Sequence, residues 1–313
     1  MPAEEGTANG GRPEQGIPRV EGVMSQTTAQ ERKIPIVSLA STKGGVGKTT
    51  LAYVLATEVA RRLAHATSAG SPVHGTLPAG TSPAGTLPTG PGAAIWRGRV
   101  TCIDADPNRT LAQVLHLTKD RLITCVESDS ERLLGDLRRA QAESDLVVID
   151  LEGTANQAML YAAGKSDLVL VPAQPSRFDV VEAVKTVGVV RKAADLVGRE
   201  IAHRVVLSRT PVLRQRVADH SRAQFLRAGL PLLPVELVQR AAFQSMTYTG
   251  RPPWRQDGGE QAAANVSSLV DEVLGIIGLH LPPVTRPGPL DTQGAATTAR
   301  GSWPYLQDVQ TVA

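Results

Sequence analysis

The chain has 313 residues and 42% of them are hydrophobic, which is enough for one large α/β domain with tails or for two small domains. No run of about 18 apolar residues is present and the N-terminal segment lacks the apolar core of a secretory signal, so we expect neither a transmembrane helix nor export. Two cysteines are too few for a disulfide framework, and the net charge is only +3; a cytoplasmic protein fits these features.

The first predicted strand is an apolar run over residues 34–40, and a glycine-rich loop follows it. The loop has the sequence K-G-G-V-G-K-T-T over residues 43–50. After the loop, apolar residues recur every four positions from Leu51 to Leu63, which predicts a helix. Strand, glycine-rich loop and helix in this order are the context of a phosphate-binding loop.

Each part of this loop suits a polyphosphate. Glycines leave the backbone N–H groups free to point at phosphate oxygens, and the start of the following helix adds positive potential. The Lys48 ammonium is expected to reach the β- and γ-phosphates, and the Thr49 hydroxyl is expected to ligate Mg²⁺. The sequence therefore predicts binding of a nucleoside triphosphate together with magnesium.

Two tails and one insertion accompany a predicted domain over residues 31–280. Residues 1–30 are polar and without periodicity, so we expect a disordered tail. Residues 66–98 contain a repeated five-residue Gly/Pro unit, which predicts an extended flexible insertion that is a docking peptide or, as we favour, an inert expansion. Residues 281–313 are rich in Pro, Gly and Thr and predict a loose C-terminal tail.

Beyond the insertion, short β-branched runs alternate with helical patterns. The runs are continuously apolar, which is typical of strands buried on both faces of a parallel sheet. The predicted strands are residues 100–104, 146–150, 168–172, 205–208 and a short last one at 232–235, and helices are predicted at 179–197, 220–228 and 261–279, among others. This alternation predicts a doubly wound, mostly parallel α/β sheet with helices on both faces and a ligand at the carboxyl ends of the strands.

Three acids stand at those carboxyl ends. Asp104 and Asp106 follow the second predicted strand, and Asp150 ends the third. Neighbouring carboxylates need a cation to offset their repulsion, and Asp150 is placed to bind Mg²⁺ through water. The alternative for the first two acids is an Asp-Pro turn that merely closes a strand.

The two lysines of the loop resemble the deviant Walker A motif of the ParA/MinD superfamily of ATPases, and Asp104-Ala-Asp106-Pro107 resembles that family's second motif. The resemblance implies a P-loop NTPase fold, ATP and Mg²⁺ as ligands, and an ATP-sandwich homodimer. In that dimer Lys43 would reach the phosphates held by the other subunit and assist Lys48 and Asp106 in hydrolysis. Asp106 would orient the attacking water, and Asp104 would help to hold the water shell of Mg²⁺. The alternative for Lys43 is a solvated loop charge.

The resemblance also implies nucleotide contacts along the whole loop and in an adenine pocket. The implied nucleotide-binding residues are Lys43, Gly44, Gly45, Val46, Gly47, Lys48, Thr49, Thr50, Pro172, Ser208 and Arg209, and the implied metal residues are Thr49, Asp104 and Asp150.

Some positions depart from the family's pattern. Asn108 and Arg109 stand where Gln and often Gly are found. After the acid of the third strand the family usually has x-Pro-Pro or x-Pro-Gly, whereas this chain has Leu151-Glu152-Gly153, so Glu152 is unusual. Glu152 either influences the γ-phosphate region or, as we favour, is a turn residue before a helix that starts near Thr154. Gly153 would preserve a close backbone approach without the prolines.

The segment 191–227 is basic, with nine Lys or Arg and three Asp or Glu, a net charge of +6. Such a segment is either a polyanion-binding surface or a solvated helix face, and the two interpretations have equal weight. The residues predicted to bind DNA phosphates are Arg204, Arg214, Arg216, Arg222 and Arg227.

Residues 212–217 and 236–250 resemble the branch that contains the T-DNA-transfer ATPase of the VirC operon and its plasmid relatives. The resemblance implies a slow, partner-stimulated ATPase that binds DNA non-specifically and acts in plasmid or chromosome partition or in conjugative DNA transfer. A ParB-like or relaxosome adaptor would be its protein partner, and the ATP-bound form would associate with the nucleoid. The alternatives are a MinD-like membrane-positioning ATPase, which the tail's composition disfavours, and a metabolic P-loop ligase or phosphotransferase.

Overall fold

The computed structural model describes residues 33–68, 96–154, 157–213 and 216–284, all within a unit that begins at Arg32. The predicted tail over residues 1–30 lies outside the described residues, as do most of the predicted insertion and most of the C-terminal tail. Within the described part of the chain, no helix is long and apolar enough to cross a membrane.

Parallel strands form the centre of the domain. The strands are β1 (Ile36–Leu39), β2 (Val100–Ala105), β3 (Ile123–Glu127), β4 (Leu146–Leu151), β5 (Leu168–Ala173), β6 (Ala202–Thr210) and β7 (Leu237–Val238). They form one sheet in the order β3-β2-β4-β1-β5-β6-β7, and every neighbouring pair is parallel. The first strand in sequence therefore lies in the middle of the sheet.

Helices cover both faces of this sheet, as the sequence predicts. They are α1 (Lys48–Ser68), α2 (Thr110–Thr118), α3 (Leu133–Glu143), α4 (Gln157–Lys165), α5 (Arg177–Val197), α6 (Arg216–Arg227), α7 (Ala241–Thr249) and α8 (Glu260–Ile277), with a 3₁₀ turn at Pro253–Arg255. One core packs α1, α2, α7 and α8 against the sheet, and the other packs α3, α4, α5 and α6 against the opposite face. The fold is a doubly wound α/β architecture.

The central strands are apolar because both of their faces are covered. Every side chain of β2, β4 and β5 is buried. In β1, Val37 and Leu39 belong to one core while Ile36 belongs to the other, because successive side chains of a strand point to opposite faces.

Three strands differ from the sequence-based expectation. β6, at Ala202–Thr210, is longer at both ends than the predicted strand 205–208. β3 is not predicted; it is a half-buried edge strand whose Ile, Thr, Cys, Val and Glu do not form an apolar run. The last strand is Leu237–Val238, and Leu232 of the predicted strand 232–235 makes just one isolated bridge, to Val205. β3 and β7 are the edge strands of the sheet, and a short or half-covered edge strand needs few apolar residues. Its apolar pattern in the sequence is therefore weak.

The predicted boundaries of the insertion and the C-terminal tail are also shifted. Helix α1 continues to Ser68, past the expected start of the insertion at residue 66, with Ala66 buried. Trp96, near the expected end of the insertion, packs into the core, and so does Leu281 at the start of the expected tail. Apolar anchors at these positions extend the packed domain beyond the limits that composition suggests.

Candidate nucleotide-binding site

The glycine-rich loop lies between β1 and α1, at the carboxyl end of the central strand. Asp150 at the end of β4 pairs in register with Leu39 of β1 on one side and with Asp104 of β2 on the other. The topology therefore brings the loop and the predicted acids to the same edge of the sheet, which is where doubly wound folds hold their ligands.

The loop needs glycine at two points. Gly45 has φ of 74° and Gly47 has φ of 97°, in the left-handed region that side chains disfavour. Between them Val46 is buried, and its carbonyl accepts a hydrogen bond of 2.6 Å from the Ser208 hydroxyl at the end of β6. The loop is thus closed against the neighbouring half of the sheet.

Lys48 is almost fully buried at the start of α1, and its Nζ lies 3.5 Å from the carbonyl oxygen of Lys43. Burial lowers the pKa of Lys48. Carboxylates oppose that effect, and they belong to Asp150, Asp106 and Glu152. The ammonium of Lys48 attracts an anionic ligand, whereas the nearby carboxylates repel one. A ligand that binds together with a metal cation satisfies both kinds of group.

Thr49 and Asp150 form the contact expected of a metal site. The Thr49 hydroxyl donates to Asp150 Oδ2 at 2.7 Å, while Asp150 Oδ1 is buried and, among the described residues, has no hydrogen-bond partner. Burial raises the pKa of Asp150 to about 7. A divalent cation near Thr49 would give Asp150 Oδ1 the partner that it lacks among the described residues, so the residues present fit Mg²⁺.

The carboxylate of Asp104 is held by backbone groups, and its predicted role in the water shell of Mg²⁺ stays a prediction. It is fully buried, and its carboxylate accepts from the backbone N–H of Asp106 at 3.1 Å and of Ala112 at 2.9 Å. Burial raises its pKa, against the effect of these hydrogen bonds. Asp104 therefore organises the turn that presents Asp106.

That turn explains two departures from the family's pattern. Asp106 Oδ1 accepts hydrogen bonds of 2.9 Å from both the backbone and the side chain of Asn108. Arg109 has φ of 53°, a conformation that favours glycine, and its guanidinium donates at 2.5 Å to the carbonyl oxygens of Asp104 and Ser128. Arginine at the usual glycine position thus adds contacts that help to hold the turn.

The start of the loop is bound to α5. Lys43 Nζ lies 2.8 Å from Asp179 Oδ2; the lysine side chain is 38% exposed and the aspartate 2%. The Thr42 hydroxyl donates to Glu182 Oε2 at 2.7 Å, and Gln174 Nε2 donates to the Gly45 carbonyl at 3.3 Å. In the single chain Lys43 is therefore ion-paired and not simply a solvated loop charge.

Two cavities adjoin the loop. The P-loop cavity, about 410 Å³, is lined by Gly44, Gly45, Gly47, Lys48, Thr49, Thr50, Asp106, Asn108, Thr110, Glu152, Gly153, Thr154 and Arg209. The α7 cavity, about 490 Å³, is lined by Gly47, Thr50, Ser208, Arg209, Leu237, Val238, Gln239, Arg240, Phe243, Gln244, Thr247 and Tyr248. Pro172 is buried inside β5 opposite Val206 and is not among the described residues that line either cavity.

The position of Glu152 differs from the favoured turn interpretation. Glu152 lines the P-loop cavity together with Asp106, and α4 begins at Gln157. The adjacent Gly153 fixes this geometry, because a Cβ there would lie 3.1 Å from the Gly44 nitrogen and 3.2 Å from the Lys43 carbonyl carbon. Glu152 is therefore a residue of the site, and its neighbour preserves the close approach that we predicted.

The arginines predicted to bind DNA do not share one environment. Arg227 is exposed at the end of α6, Arg222 is ion-paired with Glu236, and Arg204 donates to the carbonyl of His203. Arg214 and the side chain of Arg216 lie outside the described residues. The assignment of this set to DNA stays a prediction.

Sequence reasoning missed Asp179, which binds Lys43. Ser176 and Asp179 form a helix-capping pair at the start of α5, in which the Asp179 backbone N–H donates to the Ser176 hydroxyl at 3.2 Å. This S-x-x-D pattern is visible in the sequence and marks the helix start. Its proximity to the loop depends on the order of the strands.

No family model matches the chain. A curated relative, Protein ParA from Rhizobium radiobacter, is 25% identical over 220 residues, which cover 69% of this chain and 84% of the relative.

Solved structures share the fold. An ATP complex of a McdA variant from Cyanothece has 15% identity and a TM-score of 0.57, covering 80% of this chain and 98% of its own. The cell division ATPase MinD from Pyrococcus furiosus has 18% identity and a TM-score of 0.55, covering 77% and 99%. A putative plasmid partition protein from Borrelia burgdorferi bound to AMPPNP has 14% identity and a TM-score of 0.52, covering 78% and 99%. The chain therefore shares its fold with these ATPase structures and is similar in sequence to a ParA protein.

Proposed function

We propose that the chain is a Mg²⁺-dependent ATPase that alternates between a single-chain state and an ATP-sandwich dimer. The observation that carries the proposal is the buried Asp150 Oδ1 beside Thr49, which has no hydrogen-bond partner in the described part of the chain. It lies next to the loop that buries Lys48. Relatives of the same fold are described as complexes with ATP, AMPPNP or Mg-ADP, which supports an adenine nucleotide as the ligand.

Thr49 and Asp150 would hold the metal, the latter through water. When bound there, Mg²⁺ would supply positive charge that offsets the negative charge of the phosphates. Lys48 binds the same phosphates from the base of the cavity, and the loop's backbone N–H groups surround them. Asp106 also lines this cavity and would orient the attacking water, while Asp104 keeps the Asp106 turn in place.

The dimer part of the proposal rests on α5. Phe178 and Val181 on its first turns are 78% and 50% exposed, and they flank Asp179, which holds Lys43. An exposed apolar surface next to the nucleotide site is suited to a second copy of the chain. On dimer formation Lys43 exchanges Asp179 for the phosphates on the other subunit, so ATP binding and assembly are coupled.

Two lysine variants test the ATPase. Lys48→Ala should abolish ATP binding, since it removes the principal cation of the cavity. Lys43→Ala should retain ATP binding by the single chain but lose hydrolysis and dimer formation. Isothermal titration with Mg-ATP, phosphate release and light scattering give the three readouts. Unchanged hydrolysis in Lys43→Ala would contradict the cross-subunit role.

We further propose that the ATP-bound dimer binds DNA non-specifically and serves plasmid or chromosome partition, or conjugative transfer, with an adaptor that stimulates a slow turnover. The support is the basic segment 191–227 and the similarity to a ParA protein. Phosphate contacts make affinity fall steeply as salt rises. DNA binding measured by anisotropy should therefore weaken between low and moderate ionic strength in the presence of ATP, and an affinity insensitive to salt would exclude this surface.

A further inference from the structure

Arg209 has an unusual backbone conformation for an arginine. Its φ is 52°, in the left-handed region, and the register between β6 and β7 shifts between Ser208 and Thr210. Both of these neighbours are buried, whereas Arg209 is exposed. A bulge of this kind redirects one side chain out of the strand pattern, and it persists where the surroundings hold it.

Hydrogen bonds hold both neighbours of Arg209 in place. On one side the Ser208 hydroxyl donates to Val46 O at 2.6 Å and to Ala173 O at 3.3 Å. On the other side the Thr210 carbonyl accepts from the Gln239 backbone N–H at 2.8 Å. The bulge is therefore fixed between the glycine-rich loop and the start of α7.

The side chain of Arg209 is presented where the two cavities meet. The P-loop cavity and the α7 cavity share three lining residues, which are Gly47, Thr50 and Arg209. Thr50 belongs to the first turn of α1, whose backbone N–H groups have no partner within the helix. The Arg209 guanidinium and the N-terminus of α1 both lie at this junction. Each of them favours an anionic ligand.

We propose that Arg209 binds the phosphate nearest the nucleoside, outside the P-loop itself. The inference rests on the proposed ATP site. With the β- and γ-phosphates on Lys48 and the nucleoside in the α7 cavity, the junction holds the phosphate that joins them. This differs from the adenine contact that the family resemblance implies for Arg209. Its planar fork of donors is matched to phosphate oxygens, and a lysine offers no such fork.

Binding of ATP, ADP and adenosine to three variants tests this role. Arg209→Gln should lower the affinity for ATP and for ADP by a similar factor, at least about tenfold, because both carry the same contact. Adenosine binding should be unchanged. Arg209→Lys should recover part of the loss, and Arg209→Gly, which accepts the left-handed backbone, should bind nucleotides as weakly as Arg209→Gln. Arg138→Gln, on the exposed face of α3, is the matched control and should bind like the wild type.

Each other outcome overturns the inference. Wild-type affinity in Arg209→Gln excludes a contact with the nucleotide, an equal loss for adenosine assigns the residue to the base or ribose, and a loss confined to ATP assigns it to the γ-phosphate. Recovery of full affinity in Arg209→Gly would show that backbone conformation alone matters. A wild-type protein that binds no nucleotide overturns the proposed function itself. Thermal unfolding of the nucleotide-free variants identifies any loss that stems from misfolding.

Discussion

Two non-glycine residues with left-handed backbone conformations flank α2, and only one of them has side-chain hydrogen bonds that help to stabilise this conformation among the described residues. Arg109 precedes the helix, and its guanidinium binds the carbonyls of Asp104 and Ser128. Lys119 follows the helix with φ of 53° and an exposed side chain. Since a left-handed L-residue is less stable by about 1–2 kcal/mol, Arg109 offsets that energy with its hydrogen bonds.

Lys119→Gly should be more stable than Lys119→Ala by about 1 kcal/mol, because both remove the same side chain but only glycine accepts the left-handed helix cap without strain. Urea unfolding of the two variants measures the difference. A glycine variant no more stable than the alanine variant would contradict the strain at this position.

Gly153→Ala should weaken nucleotide binding and lower the free energy of unfolding by about 1–3 kcal/mol, because the added Cβ would press on the backbone of Lys43 and Gly44. Gly135 in α3 is the matched control, since a Cβ there meets nothing within 4 Å. Gly135→Ala should raise stability by about 0.5–1 kcal/mol and leave nucleotide affinity unchanged. Equal behaviour of the two variants in urea unfolding and nucleotide titration would exclude the close approach.

At the scale of elements, α1 is joined to α8 by a buried arginine. Arg62 is fully buried, and its Nε lies 2.8 Å from Glu58 Oε1 within α1. From there it reaches α8, where it lies 2.5 Å from Asp271 Oδ1 and donates to the carbonyl and hydroxyl of Ser267 at 3.0 and 2.8 Å. The helix that begins at the phosphate-binding loop is thus anchored at its far end.

Glu58 is buried and forms ion pairs with both Arg61 and Arg62. Arg62→Met removes one of these two positive charges, so it should lower the free energy of unfolding by at least about 2 kcal/mol. Asp271 is 50% exposed, so Asp271→Asn should cost less than about 1 kcal/mol although it interrupts the same network. Guanidinium unfolding measures the free energy of unfolding of both variants. A larger loss of stability in Asp271→Asn than in Arg62→Met would contradict the view that the buried Glu58, and not the exposed Asp271, is the more important partner of Arg62.

The sequence predicts the elements that are buried on both faces. The predicted strands at 100–104, 146–150 and 168–172 each differ from the observed strand by a single residue at the end, and every residue of these three strands is buried. β3 escapes prediction because an edge strand is covered on one side only. The apolar pattern of a sequence indicates which residues are buried, and this pattern is weakest where an element is only partly buried.

The candidate site is predictable where chemistry follows strand order. Lys48, Thr49 and Asp150 meet because a loop and an acid at the carboxyl ends of adjacent strands must lie close together. Glu152 and Asp179 are not predictable in this way. Their positions depend on how the chain after β4 packs on the loop and on how α5 approaches it, and both are tertiary features.

At the scale of the whole molecule, the single chain holds Lys43 away from any ligand of another subunit. The ion pair with Asp179 links the loop to α5, whose exposed Phe178 and Val181 would be covered in a dimer. In the proposed dimer, assembly would release this ion pair and bury this apolar surface. A nucleotide shared between two chains favours assembly only if it binds the dimer more tightly than the single chain.

The mass of Asp106→Asn in solution with saturating Mg-ATP tests this account most directly. The variant should bind ATP without turning it over, so light scattering should give twice the 33.0 kDa of one chain, and adding Lys43→Ala should return the mass to that of one chain. A protein that is saturated with ATP and still has the mass of one chain at high concentration would contradict the shared nucleotide site.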